Sequence, residues 1–211
     1  MTRRYWARVE YDGTDFFGFQ VQAQARTVQG ELERALEVVT QNPTRVIGAG
    51  RTDRGVHARG QVIAFSAVWR HEPADLHRAL NAVLAADVVI AGMGLAPEGF
   101  HPRFDAVRRS YRYSLLEQQW RSPLERRTAW HVTERLDVAQ MTRASQCLIG
   151  THDFGTFGRA PQGENTIRTV LRAEWQRRGS LLDFDVEANA FLYRMVRSIV
   201  GTLHLVGSGR L

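Results

Sequence analysis

The residues best suited to chemistry lie between Gly48 and Ala58, where the sequence reads G-A-G-R-T-D-R-G-V-H-A. In this segment the carboxylate of Asp53 is flanked by the guanidinium groups of Arg51 and Arg54. A nearby cation keeps a carboxylate ionised, which a nucleophile or a general base requires. The same spacing is typical of an exposed turn with an ion pair, which contributes only about 0–1 kcal/mol to stability. Taken alone, the spacing favours the surface turn, and a catalytic Asp53 is the alternative.

The glycines of this segment also suggest a dinucleotide-binding loop. Such a loop requires a third glycine as the chain enters a helix. That position holds Asp53, whose negative charge would repel a pyrophosphate. The next segment, residues 60–66, is predicted to be a strand rather than a helix. A dinucleotide-dependent oxidoreductase is therefore a distant alternative.

Two tyrosines and one late arginine are further candidates. Tyr111 and Tyr113 share one side of a predicted strand, because alternate residues of a strand face the same way. Tyrosine beside arginine suits stacking on nucleic-acid bases, but tyrosines packed into a core give the same pattern, and the strand alone favours the core. Arg197 lies away from the apolar stripe of the last predicted helix, one turn before Gly201. An ordinary solvated arginine would look the same.

The charge of the chain points to a polyanionic partner. All 28 basic residues are arginine, against 22 acidic residues, so the net charge is +6. Residues 101–211 hold 17 arginines and 11 acids and therefore carry the whole surplus. The planar guanidinium group matches phosphate bidentately, which makes nucleic acid a candidate partner. The absence of lysine excludes a P-loop lysine, a Schiff-base lysine and a lysine general base.

Several other classes of protein are not expected. Cys147 is the only cysteine, which precludes an intrachain disulfide and indicates a reducing compartment. The seven histidines lack the paired spacing of metal sites, so no metal is expected, and His57 and His152 are expected to pack. The charged N-terminus does not resemble a signal peptide. The most apolar stretch, residues 79–96, contains polar residues and predicts no membrane span.

The elements that must position these residues fall into two runs, taken as the domains 1–100 and 101–211. In the first run, alternating and helical apolar spacing predicts the order β-α-β-β-α-β, the split βαβ pattern. Its first strand contains Tyr5 and Tyr11, and its first helix begins behind a Thr27 cap. The other predicted elements are strands at 44–47, 60–66 and 87–95 and a helix at 75–84.

The second run varies the same pattern. It predicts a strand at 106–116, a helix at 137–149, strands at 166–176 and 181–187, and a final helix that starts at Phe191. A closing strand of this second unit is missing from the sequence pattern. An early end of the sequence is the favoured explanation, and a differently built unit is the alternative.

These separate signals coincide with those of one family. The segment G-R-T-D-R-G-V-H-A closely resembles the active-site motif of the TruA family of tRNA pseudouridine synthases. Four further strings resemble that family in the same order along nearly the full chain. They are Y-D-G-T-D-F-F-G-F-Q-x-Q with T-V-Q-G, F-H-P-R-F-D-A with R-S-Y-R-Y, H-D-F-G-T-F, and F-L-Y-R-M-V-R-S-I-V-G-T-L.

The resemblance implies a role for each candidate residue. Asp53 corresponds to the catalytic aspartate, and Tyr111 to the tyrosine that packs against the target base. Arg197 is similar to the basic residue that forms an ion pair with that aspartate. Arg51 is similar to the arginine that helps to open the RNA and to hold the flipped nucleotide. Arg54 stands where the family usually has a small residue.

The resemblance also implies the setting of the site. Family members are cytoplasmic homodimers that isomerise uridine at positions 38, 39 and 40 of the tRNA anticodon stem-loop, without a metal or a cofactor. Their fold is α+β, with two ferredoxin-like halves that share a mostly antiparallel sheet and an active cleft between them. The family's final segment, which supplies a strand and an apolar wall of the uridine pocket, does not follow Leu211 in this sequence.

A non-catalytic RNA-binding module is the main alternative. Split βαβ sheets with aromatic faces commonly bind RNA, and such a module would explain the arginines and tyrosines. It gives no reason for Asp53, whose charge phosphate would repel.

Overall fold

A computed structural model describes residues 2–160 and 163–211. It divides the chain into an N-terminal unit, Met1–Ala106, and a C-terminal unit, Val107–Leu211. Each unit has its own hydrogen-bonded sheet, of four strands in the first and five in the second. The described residues contain four α-helices, so the predicted α+β class is confirmed.

The elements of the N-terminal unit follow the predicted order β-α-β-β-α-β. They are β1 (Thr2–Tyr11), α1 (Val28–Thr40), β2 (Ile47–Gly48), β3 (Ala58–Val68), α2 (Pro73–Val83) and β4 (Val88–Leu95). The strands are antiparallel in the spatial order β2-β3-β1-β4. Ala58, the first residue of β3, is paired with Tyr11, the last residue of β1, so the loop between β2 and β3 ends next to the end of β1.

Hydrophobic periodicity explains which face of this sheet is covered. Along β1 every second residue is buried, from Tyr5 to Tyr11, and this row contributes to one core with the apolar residues of α1 and α2. The expected cap of α1 is present, since the hydroxyl of Thr27 accepts a hydrogen bond from the Gly30 N–H at 3.2 Å.

The C-terminal unit contains two strands that the sequence pattern did not predict. Its elements are β5 (Arg109–Glu117), β6 (Ala129–Val132), α3 (Val138–Gln146), β7 (Gly150–Asp153), β8 (Ile167–Arg178), β9 (Leu181–Ala188) and α4 (Met195–Gly207), with a 3-10 turn at Gly155–Phe157. The spatial order is β6-β5-β9-β8-β7, in which only the β5–β6 pair is parallel. β6 and β7 have four residues each, too few to show a clear alternation.

The last helix begins later than its apolar pattern predicts. The prediction started it at Phe191, whereas α4 starts at Met195. The N–H of Tyr193 donates to the carbonyl of Arg159 at 2.9 Å, and Arg194 has a left-handed backbone with φ of 63°. A left-handed residue cannot continue a right-handed helix, so the apolar residues before it belong to a loop.

One face of the C-terminal sheet carries a ladder of opposite charges between β5, β9 and β8. Arg112 holds Asp185 with two hydrogen bonds of 2.8 Å from its Nε and Nη2 atoms. Beside it, the fully buried carboxylate of Asp183 accepts hydrogen bonds from Ser114 and Arg178. The second face packs on the core of the unit, so the sheet separates charge from apolar surface.

This ladder predicts a pH-dependent contribution to stability. The hydrogen bonds from Arg112 lower the pKa of Asp185, with partial opposition from burial and further help from Arg172 and Arg178. A carboxyl group whose folded-state pKa is lowered stabilises the fold above its unfolded pKa, about 3.9, and this contribution disappears as pH falls through the folded-state value. In urea unfolding, Asp185→Asn is therefore expected to be less stable than wild type at pH 7, and this difference is expected to shrink at pH 3. A difference that stays constant over that range would contradict the assignment.

Candidate active site

Asp53 lies on the loop that joins β2 to β3. The loop backbone is held on both sides of this residue. The carbonyl of Thr52 accepts a hydrogen bond from the Phe19 N–H at 3.0 Å, and the carbonyl of Asp53 accepts one from the Val56 N–H at 3.1 Å. The side chain of Asp53 is half-buried. The hydrogen-bonded backbone of the loop therefore carries a carboxylate that is still partly accessible to solvent.

The segment after β1 packs closely against this loop, and this close packing requires glycine at two positions of the segment. A Cβ on Gly13 would lie 2.1 Å from the carbonyl oxygen of Val56. Gly18 has a φ of +92°, and a Cβ there would lie 2.8 Å from the carbonyl oxygen of Thr52. Both positions require glycine because backbone approaches backbone at the site. Two strings about 40 residues apart in the sequence thus form one local structure.

The last residue of β1 reaches the same loop from the core side. The hydroxyl oxygen of Tyr11 lies 2.8 Å from the hydroxyl oxygen of Thr52, and only 3% of Tyr11 is exposed. Burial raises the pKa of Tyr11, and interactions with Thr52 and Gln61 oppose this effect only in part. The amide of Gln61 in turn donates to the carbonyl of Gly50 at 3.0 Å. Tyr11 therefore stays a neutral phenol that is hydrogen-bonded beside Asp53.

His57 links the far end of the loop to the residues that follow β1. Its Nδ1 atom accepts a hydrogen bond from the Gly13 N–H at 3.2 Å and lies 3.0 Å from Oδ1 of Asp12. The same Asp12 oxygen accepts hydrogen bonds from the N–H and the hydroxyl of Thr14. From the sequence, His57 is expected only to pack, and Tyr11 is no more than a residue of the first strand. The contact of Tyr11 with Thr52 and that of His57 with Gly13 join segments far apart in sequence, which spacing does not show.

The carboxylate of Asp53 is not engaged by its neighbours. Within the N-terminal unit, the described residues offer it no hydrogen bond and no salt bridge. The guanidinium group of Arg54 instead lies over the ring of Phe17, at 4.2 Å from its centroid. Arg51 is exposed. The local ion pair that the surface-turn interpretation expected is therefore not formed in this unit.

Tyr111 lies on β5 in the C-terminal unit. Tyr111 and Tyr113 are half-buried and pack against the apolar core of this unit. The edge of the Tyr111 ring meets the ring of Phe191, with centroids 5.0 Å apart and planes at 87°. The two sequence interpretations of these tyrosines are compatible, since a ring fixed by the core on one side remains partly accessible.

Arg197 lies in the first turn of α4. Its side chain is exposed and makes no hydrogen bond or salt bridge with the described residues of the C-terminal unit. One turn further on, a Cβ on Gly201 would have no heavy atom within 4 Å, so there is free space beside Arg197 on this helix. Asp53 and Arg51 thus belong to the N-terminal unit, and Tyr111 and Arg197 belong to the C-terminal unit.

Neither a metal-binding cluster nor a membrane-spanning helix occurs in the part of the chain that the structure describes. No group of three or more His, Cys, Asp or Glu side chains in residues 2–160 and 163–211 could hold a metal ion. None of the helices in those ranges combines the length and the apolar character needed to cross a membrane.

Comparison with known proteins shows a consistent similarity. The family model described as tRNA pseudouridine synthase matches residues 7–105 and 144–211. A protein of Roseiflexus castenholzii named tRNA pseudouridine synthase A is 50% identical over 210 residues, which cover 97% of this chain and 77% of that protein. A protein with the same name from Chloroflexus aurantiacus is 47% identical, and the match covers 95% of this chain and 74% of that protein. Another from a Thermoanaerobacter species is 41% identical, and the match covers 96% of this chain and 84% of that protein.

Proposed function

The chain belongs to the tRNA pseudouridine synthase family, and from that premise we propose which residues act and where in tRNA they act. The protein is an isomerase that forms pseudouridine in tRNA. The reaction breaks the bond between N1 of uracil and C1′ of the ribose, turns the base and joins C5 to C1′. C5 loses a proton and N1 gains one, so the atoms balance without an oxidant or a reductant.

We propose that Asp53 is the catalytic nucleophile. The observation that carries this proposal is its unengaged carboxylate on a loop whose backbone is held on both sides. A carboxylate with a structural role in its unit would be expected to use its oxygens there, as Asp183 does with Ser114 and Arg178. Attack by Asp53 on the ribose or on the base would split one difficult step into two easier ones.

Tyr111 is proposed to stack on the uracil after the nucleotide has left the helix. Flipping a nucleotide out of a stem costs a few kcal/mol, and an aromatic ring can recover part of that free energy. The contact with Phe191 holds the Tyr111 ring before substrate arrives. A fixed ring loses little conformational entropy on binding.

The two arginines are proposed to contact the displaced nucleotide and the catalytic carboxylate. Arg51 is exposed on the same loop as Asp53 and is proposed to hold the flipped nucleotide. Arg197 is exposed beside the free space at Gly201. Its pairing with Asp53 stays a prediction.

We further propose that the enzyme acts at positions 38, 39 and 40 of the anticodon stem-loop, as a homodimer in the cytoplasm and without a cofactor. The support is the resemblance of the five sequence strings, together with the arginine surplus of residues 101–211. A non-catalytic RNA-binding module is not supported, because the relatives are named as synthases and such a module leaves Asp53 without a role.

Release of tritium from C5 of uridine tests this function. Three tRNA transcripts, each with a single [5-³H]uridine at position 38, 39 or 40, are expected to release their label on incubation with the purified protein. A fourth transcript with the label only in the acceptor stem is expected to keep it. Release from the fourth transcript alone would contradict the proposed positions, and release from none would contradict the enzymatic function.

A further inference from the structure

The backbone of the Asp53 loop is tied to the end of β1 by one buried hydroxyl. Thr52 immediately precedes Asp53, and its hydroxyl lies 2.8 Å from that of Tyr11. Tyr11 also interacts with Gln61, which holds the carbonyl of Gly50 on the same loop. A single phenol in the core thus reaches the loop at positions one and three residues before the carboxylate.

The loop has further attachments after Asp53, but they are of a different kind. They include the close approach of Gly13 to Val56, the hydrogen bond from the Gly13 N–H to His57 and the hydrogen bond from the Gly55 N–H to the carbonyl of Phe16 at 3.4 Å. These contacts restrain residues 55 to 57, whereas directly before Asp53 the chain is held at Thr52, by the Phe19 N–H at its carbonyl and by Tyr11 at its side chain. The carboxylate itself has no hydrogen-bond partner in its unit, so the loop backbone, which sets the direction of the Cα–Cβ bond of Asp53, is what orients it.

We propose that Tyr11 is a positioning residue for the reaction: its hydroxyl fixes Thr52 and thereby the direction in which Asp53 presents its carboxylate to the uridine. This inference rests on the proposed role of Asp53. The phenol does not contact substrate, because it is buried. A displacement of about 1 Å in a reacting group can slow the chemical step about a hundredfold, so one hydroxyl at this place matters for rate.

The same strand offers a matched control. Tyr5 lies on the buried face of β1, as Tyr11 does, and is 0% exposed. Its hydroxyl finds no hydrogen-bond partner among residues 2–160 and 163–211. Tyr5→Phe therefore removes an equally buried hydroxyl from the same element without touching the Asp53 loop.

The experiment compares single-turnover rates at saturating enzyme with tRNA affinity and thermal melting. Tyr11→Phe is expected to slow the chemical step by about 10- to 100-fold, with tRNA affinity within about threefold of wild type. Tyr5→Phe is expected to keep the wild-type rate within about twofold. Thr52→Val is expected to slow the chemical step as much as Tyr11→Phe does. Thr52→Ser, which keeps the hydroxyl group, is expected to keep the wild-type rate. The double variant Tyr11→Phe/Thr52→Val is expected to be no slower than Tyr11→Phe alone, because both substitutions remove the same interaction between the two hydroxyl groups.

Three outcomes would overturn the inference. They are a wild-type rate for Tyr11→Phe, equal losses for Tyr11→Phe and Tyr5→Phe, and additive losses in the double variant. Asp53→Asn separates the proposed role of Asp53 from the proposed role of Tyr11. If that variant keeps full activity, the proposed role of Asp53 fails. If it is inactive while Tyr11→Phe is normal, only the positioning role fails.

Discussion

Asp53→Asn is expected to lower the rate of pseudouridine formation by at least about a thousandfold while tRNA affinity changes by no more than a few fold. Asparagine has nearly the same shape as aspartate, so the loop can keep its backbone hydrogen bonds to Phe19 and Val56. The amide cannot act as the nucleophile, and loss of a nucleophile is among the largest single effects known in enzymes. Affinity is expected to be retained because the negative charge of Asp53 does not attract the polyanionic tRNA, so its removal loses no favourable contact with the RNA backbone.

The measurement uses tritium release for the rate and filter binding for the affinity. Asp15→Asn is the control, since Asp15 is an exposed aspartate in the segment that follows β1 and is expected to leave both quantities unchanged. A wild-type rate in Asp53→Asn would remove the central proposal. A large loss of affinity would instead indicate that Asp53 serves binding.

Gly13→Ala is expected to impair both stability and catalysis. The added Cβ would lie 2.1 Å from the carbonyl oxygen of Val56 and 3.1 Å from the N atom of His57, so the Asp53 loop or the segment after β1 must move. Overpacking of this kind typically costs about 1–3 kcal/mol of the free energy of unfolding. Because the displaced loop carries Asp53, the chemical step is expected to slow by about a hundredfold.

Gly92→Ala provides the matched control for this variant. Gly92 lies on β4 of the same unit, and a Cβ there would have no heavy atom within 4 Å. Its free energy of unfolding, measured in urea, is expected to stay within about 0.5 kcal/mol of the wild-type value, and its rate of pseudouridine formation is expected to be unchanged. Equal effects in Gly13→Ala and Gly92→Ala would show that the contact with Val56 is not what matters.

The candidate site was only partly predictable from the sequence. The motif around Asp53 was found through its residue types and its resemblance to a family, but its spacing alone favoured a surface turn. The structure shows why spacing was insufficient: Arg54 lies over Phe17 rather than beside Asp53. The cation–π contact of Arg54 with Phe17, a ring from another segment, takes the place of an ion pair with Asp53. The spacing of residues around Asp53 does not show which of these two contacts forms.

Tyr11 and His57 illustrate the same limit. In the sequence, Tyr11 continues the buried row of β1 and so looks like an ordinary core residue. No residue is spaced from His57 along the sequence in a way that predicts a contact between them. Their contacts with Thr52 and Gly13 span 41 and 44 residues of sequence. A helpful signal was available in Gly13 and Gly18, because glycines next to a strand end often mark a close backbone approach.

The β-α-β-β-α-β order of the N-terminal unit and the cap of α1 follow from the amino-acid sequence alone, and the α+β class follows from its resemblance to a family. The order and the cap depend on alternation, helical periodicity and capping, all of which are set by residues close together in the chain. Three other features are seen only in the folded chain: the short strands β6 and β7, the late start of α4 after a left-handed Arg194, and the unpaired carboxylate of Asp53 on a loop that contacts Tyr11. Each of these depends on hydrogen bonds or packing between segments far apart in sequence, where the competition among partners is settled only once the chain has folded.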